Sequence, residues 1–192
     1  MAVDLPALVA PWRTAVVTSE VQNGVVGDEA VLPALAEAAR GTMIPALSRL
    51  LKSARAASVD VVHATFERRI DGKGASTNAR LFHAVADSPV KLLPGSPATK
   101  VVPEVGDMPT DLEPVLRNLG VSTIVVTGVS VNVAITNLVM EAVNRGFDVV
   151  LPRDAVCGVP AEYADAVIDN TLSLLATLTT VDELVAIWEK EA

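Results

Sequence analysis

The feature that most constrains this chain is a set of apolar, β-branched runs with no wet face. They are TAVVTS at 14–19, VSTIVVT at 121–127 and FDVVL at 147–151, joined by VDVVHAT at 59–65. A strand with one solvated face alternates apolar and polar residues, whereas a near-continuous run is covered on both sides. Strands of that kind belong to parallel sheets, whose crossovers lay helices over both faces.

The intervening segments have helical spacing. Residues 29–55 read as a helical region that Pro33, Gly41 and Pro45 break into pieces. Residues 79–86 form a short helix after a polar, glycine-containing loop at 66–79. A helix over 110–119 carries Thr110 and Glu113 as a capping box, with Pro114 near its first turn. Residues 131–145 form a helix closed by Gly146, and 160–177 a long one with Ala164, Val167, Ile168, Leu172 and Leu175 at helical spacing. A short edge strand at 179–181 and a last helix at 181–190 complete the pattern. The expectation is one domain over 1–192: a three-layer α/β/α, Rossmann-like parallel sheet of about six strands with right-handed crossovers. Working groups then belong at the carboxyl tips of the strands. Glu20, just after the first run, and the residues after Thr127 fall there.

Composition narrows the function classes. Apolar residues make up 51% and mean hydropathy is +0.43, with only 3% aromatics. No apolar stretch reaches the roughly 18 residues of a membrane helix, and the start lacks the pattern of a signal peptide. High hydropathy without a span suggests a doubly covered sheet and a subunit interface, so a homodimer or higher homo-oligomer is expected, with no membrane partner. A net charge of −8 argues against a nucleic-acid partner. The single cysteine, Cys157, allows no intrachain disulfide and suits a reduced, cytoplasmic setting. One cysteine and two distant histidines offer no metal-ligand spacing, and no cofactor is expected.

Taken together, VVTSEVQNG and IVVTGVSVNVAITNLVMEAVNRGFDVVLPRDAV resemble the isochorismatase-like hydrolases, the cysteine hydrolase superfamily. The shared residues are Gln22 and Asn23, Gly128 and Val129, Gly146, Asp154 and Ala155, and the likeness covers roughly residues 12 to 185. The resemblance implies an Asp, Lys and Cys in the amidases of the family. Here Glu20 stands at the Asp position and Ala134 at the Cys position. The segment that brings the Lys is shortened to Gly106 to Pro109, with Lys100 just upstream. It also implies a cis peptide at Val129–Ser130 and an oxyanion hole from the N–H groups of Ser130 and Ala134. Gln22, Val129, Ser130, Asn132 and Ala134 are the implied ligand-binding residues.

The chemistry follows from the residue types. A thioester route needs a thiolate, and alanine has none, so the cysteine-dependent amidase route is excluded. Members that cleave the vinyl ether of isochorismate without cysteine protonate the substrate from the acid, a role open to Glu20 if burial raises its pKa. The expectation is a hydrolase-like protein acting on or binding a small anionic or amide-bearing metabolite. The alternative is an inactive family member that binds a ligand or serves in oligomeric assembly.

Each residue also has a structural reading. Glu20 could cap its own loop through backbone N–H bonds. Gln22 and Asn23 read as turn-makers, His63 and His83 as packed or edge histidines, and Cys157 as a small buried hydrophobe. Arg68, Arg69 and Lys73 read as a solvated run rather than an anion site. Asn78 and Arg80 fall where a lid or a neighbouring subunit would reach the pocket.

Overall fold

A computed structural model describes residues 3–73, 75, 78–106 and 116–191. Six strands form one sheet: β1 (Thr14–Ser19), β2 (Asp60–Ala64), β3 (Thr123–Val129), β4 (Asp148–Pro152), β5 (Val156–Cys157) and β6 (Thr177–Thr179). Every pairing is parallel, and the order is β2-β1-β3-β4-β6, with β5 paired to the end of β3. The expected parallel α/β sheet is therefore present.

The helices are α1 (Leu5–Leu8), α2 (Asn23–Val26), α3 (Pro33–Ala38), α4 (Ile44–Ala56), α5 (Arg80–Asp87), α6 (Thr136–Asn144), α7 (Ala161–Asn170) and α8 (Val181–Trp188). The strand residues alternate between two cores, which is why the apolar runs are unbroken. Val16, Val125 and Val150 pack with Leu47, Leu51 and Leu184 on one face. Val17, Ile124, Val126 and Leu151 pack with Ile135, Val139 and Ile168 on the other. No helix among the described residues is long and apolar enough to cross a membrane.

Three expectations need correction. The region from Pro33 to Ala56 is one continuous helical run rather than pieces, because a π turn at Ala39–Met43 joins α3 to α4 and the Ile44 N–H reaches back to Ala39 O. Pro45 would clash with a regular turn and lacks an N–H, and a widened turn just ahead of it relieves both problems. The helix expected over 160–177 ends at Asn170 and gives way to a 3₁₀ turn at Leu172–Leu174. In a 3₁₀ turn residues i and i+3 eclipse, so Leu172 and Leu175 keep a spacing that mimics helix. The edge strand starts earlier, at Thr177, because Thr180 caps α8 in a capping box with Glu183. The capping box expected at Thr110 and Glu113 lies outside the described residues, and only 116–118 of that helix are described as helical. Gly146 does close α6, at φ +81.

The amino-terminal segment packs Leu5, Leu8 and Val9 on the core and is fastened by a bond from α8. Trp188 is fully buried, and its Nε1 donates to Val9 O at 2.9 Å. Trp188→Phe keeps most of the packing but leaves that buried carbonyl unpaired, a loss of about 2 kcal/mol. Urea denaturation gives the magnitude. Hydrogen exchange should show α1 opening first; equal protection of α1 in both proteins would refute the link.

Candidate active site

β1 and β3 run side by side in register, Ser19 opposite Gly128, and their carboxyl tips carry the two halves of the site. On the first tip stands Glu20. Its N–H still extends the ladder to Ala64 O at 2.8 Å, but its φ is +54, a left-handed turn that costs a non-glycine residue about 1 kcal/mol. Among the described residues no hydrogen bond or ion pair reaches its carboxyl group, so the loop-capping reading finds no bond to support it. Burial pushes the Glu20 carboxyl above the usual carboxylate range.

The second tip is the turn after β3. The Val129–Ser130 peptide is cis, as the resemblance implies. The chain then enters a π turn, Val131–Ile135, before α6. Ser130 O accepts from the N–H groups of Val133 at 3.2 Å and Ile135 at 3.0 Å, and Thr136 Oγ1 donates to Val131 O at 2.6 Å. Asn132 anchors the turn sideways, its Nδ2 donating to Val159 O at 2.8 Å.

Glu20, Ser130, Asn132 and Ala134 line one cleft of about 690 Å³, joined by Asn137. A cleft of that size suits a small molecule. The rest of its described lining is apolar. Leu32, Pro33 and Leu35 belong to one part of it, Leu81, Phe82 and Val85 of α5 to another, and Phe66 and Leu92 are among the others. Sequence reasoning missed this lining. The available sign was α5 itself, whose apolar residues cluster on one face although none is fully buried.

Other expected ligand residues lie outside the cleft. Gln22 is wholly buried, and its amide is spent on backbone: Nε2 donates to Phe66 O and Thr99 O, each at 3.0 Å, and Oε1 accepts from Phe66 N at 2.6 Å. It clamps the cleft wall rather than facing a ligand. The Val129 side chain is in the core, so only its peptide belongs to the turn. Asn23, the first residue of α2 rather than a turn residue, donates Nδ2 to Pro97 O at 3.1 Å.

Lys100 is exposed and absent from the described lining, while its carbonyl accepts from Asn23 N at 2.9 Å. Of the shortened segment, only Gly106 falls within the described residues, and Asp107 to Pro109 do not. Arg69 makes a bidentate pair with Asp71 at the surface, and Asn78, Arg80 and His83 are also exposed. His63 is buried with Nδ1 2.7 Å from Thr18 Oγ1. It borders a separate hollow of about 560 Å³ along edge strand β2, lined also by Arg55 and Asp60. Cys157 pairs with Val129 on β5 and packs against the core; burial raises its thiol pKa, which opposes thiolate formation. Asp154 accepts from Val181 N at 2.9 Å and so fastens the start of α8.

A doubly covered parallel sheet with an acid and a cis-peptide turn facing one cleft at its strand tips defines a hydrolase-like α/β protein. The isochorismatase domain model matches residues 14–183, and the chain belongs to that family. A segment is 33% identical over 75 residues to an uncharacterized isochorismatase family protein, YecD, of Escherichia coli O157:H7; the match spans 39% of this chain and 40% of that protein. Among solved structures, a cysteine hydrolase from Pseudomonas syringae pv. phaseolicola superposes with a TM-score of 0.79 at 22% identity, covering 96% of both chains. An isochorismatase family protein from Burkholderia thailandensis gives 0.75 at 23% identity, covering 93% of this chain and 96% of that one. At these identities the structural likeness speaks for the fold alone.

Proposed function

We propose that this chain is a small-molecule hydrolase of the isochorismatase family that works by acid catalysis from Glu20, without a thiol nucleophile. The observation that carries the reading is Glu20 itself: a carboxyl group with no bonding partner among the described residues, held in an apolar cleft opposite the Ser130–Ala134 turn. Ala134 closes the thioester route, and the raised thiol of Cys157 supplies no substitute.

For a vinyl ether the steps balance simply. Glu20 gives its proton to the terminal alkene carbon, which leaves an oxocarbenium ion and a carboxylate. Water adds to the cationic carbon, and its proton returns to Glu20. The resulting hemiketal collapses to an alcohol and a carbonyl compound, so one water is consumed in all. The raised pKa keeps a larger share of Glu20 protonated near neutrality.

Glu20→Gln keeps the shape of the side chain and removes the proton. Turnover of an enol-ether and amide panel should fall at least about 100-fold, with little change in fold. The parent's activity should decline as pH rises and Glu20 ionises. The same variant has a stability signature. A carboxyl with a raised folded-state pKa contributes stability below its unfolded value near 4.5 and loses it as pH rises toward the folded value. Glu20→Gln should therefore melt higher than the parent at pH 7 to 8, with the gap closing below about pH 4.5. Undiminished turnover in Glu20→Gln would end the acid reading. If no substrate is turned over while ligands still bind, the non-catalytic binding role takes its place, a role that Ala134 favours.

A further inference from the structure

We infer that the cleft selects an uncharged, largely apolar ligand, an alkyl or aryl amide or enol ether, over an anion of the same shape. This rests on the cleft being the functional site, as proposed above, and narrows what it takes.

The described lining has four polar side chains, Glu20, Ser130, Asn132 and Asn137, and none of them is cationic. The residues outside the described ones, 1–2, 74, 76–77, 107–115 and 192, include no Lys, Arg or His. Lys100 and Arg80 are exposed, Arg69 is engaged with Asp71, and Arg68, half-buried two residues from Phe66, is absent from the described lining. An anion in this cleft would lose its water without meeting a counter-charge. It would also face Glu20, which repels it when ionised. Burying an unpaired charge costs affinity by roughly a hundredfold or more. The helix start after Ser130 returns only about fivefold. The balance favours a neutral ligand over an anion by about tenfold or more.

The same lining favours a neutral one. Leu32, Phe66, Phe82, Leu92 and Val159 present apolar surface, and each methylene buried there raises affinity about fourfold. The polar groups gather at the strand-tip end. Asn132 has its Nδ2 already committed to Val159, so Glu20, Ser130 and Asn137 are left to meet one carbonyl or amide head. Glu20 suits that head in either state, donating to a carbonyl when protonated or accepting from an amide N–H when ionised.

The test is calorimetric titration of the full chain at pH 7.5 with hexanamide and octanamide beside hexanoate and octanoate. Octanamide should bind about tenfold or more tightly than hexanamide, and each amide at least tenfold more tightly than its carboxylate. Phe82→Ala should weaken both amides several-fold at an unchanged melting temperature. Equal or tighter binding of the carboxylates overturns the inference, as does affinity independent of chain length, no binding of either series, or indifference to Phe82→Ala. These readings are separate from the fate of Glu20→Gln, which reports on turnover. Loss of the acid mechanism leaves the amide preference standing, and the reverse also holds.

Discussion

Gly128→Ala is expected to destabilise the protein by about 4 kcal/mol or more and to abolish activity at the cleft. Gly128 has φ +103, a region closed to L side chains at a cost of roughly 1–3 kcal/mol. Its added Cβ would lie 2.3 Å from Ser19 O and 2.8 Å from Ser19 N. Both obstacles are backbone, and that backbone cannot retreat. Ser19 is held in register by Gly128 on one side and by Ala64 on the other. A methyl group here wedges β1 from β3 at the point where each turns into its half of the site, adding overpacking to the strain. Gly146→Ala is the control. Its φ of +81 is also positive, but nothing lies within 4 Å of the added carbon, so only the backbone term of about 1–2 kcal/mol remains. Urea denaturation followed by circular dichroism compares the two. If they lose the same amount, the close approach of the strand tips has no energetic meaning.

The parts of the fold that could be read in advance are those where burial leaves a mark on composition. β1, β3 and β4 are covered on both faces, so their apolar runs are unbroken and their ends fall within a residue or two of expectation. The misreadings arise where two structures share one spacing. Pro45 reads as a break because a sequence does not reveal the π turn that accommodates it. Leu172 and Leu175 read as helix because a 3₁₀ turn also sets residues three apart on one side. β5 has only two residues, too few to show any period.

The site divides in the same way. Glu20, Ser130, Asn132 and Ala134 follow the ends of legible strands, and they line one cleft at the strand tips. The apolar walls come from α3, α5 and the segments at Phe66 and Leu92, which only the folded chain brings together. That is why the motif residues alone leave the anionic and the amide-bearing ligand both open. The motif residues include an acid and an anion-attracting turn, whereas the surfaces that decide what enters are far away in sequence. Gln22 shows the opposite error. The resemblance makes it a ligand contact and its residue type a turn-maker, whereas the partners of its amide are 44 and 77 residues away.

That assignment leads to the second large effect. Gln22→Ala should cost about 3 kcal/mol, since it strips Phe66 N–H, Phe66 O and Thr99 O of their partner while leaving a hole at a wholly buried position. Activity should fall with it, because Phe66 lines the cleft and loses its fixed position. Gln22→Glu separates a clamp from a ligand contact. The two side chains have nearly the same shape, but a carboxylate would point an acceptor at two carbonyl oxygens. A group that bonds those carbonyls only as the acid has a raised folded-state pKa. Its stability is present at low pH and is lost as pH rises through that value. Gln22→Glu should thus be at least as unstable as Gln22→Ala at pH 8 and recover part of the loss at pH 5. A residue whose purpose was to touch the ligand would behave otherwise: both variants would keep the parent's unfolding midpoint at every pH and differ only in affinity. Melting curves at the two pH values decide between them.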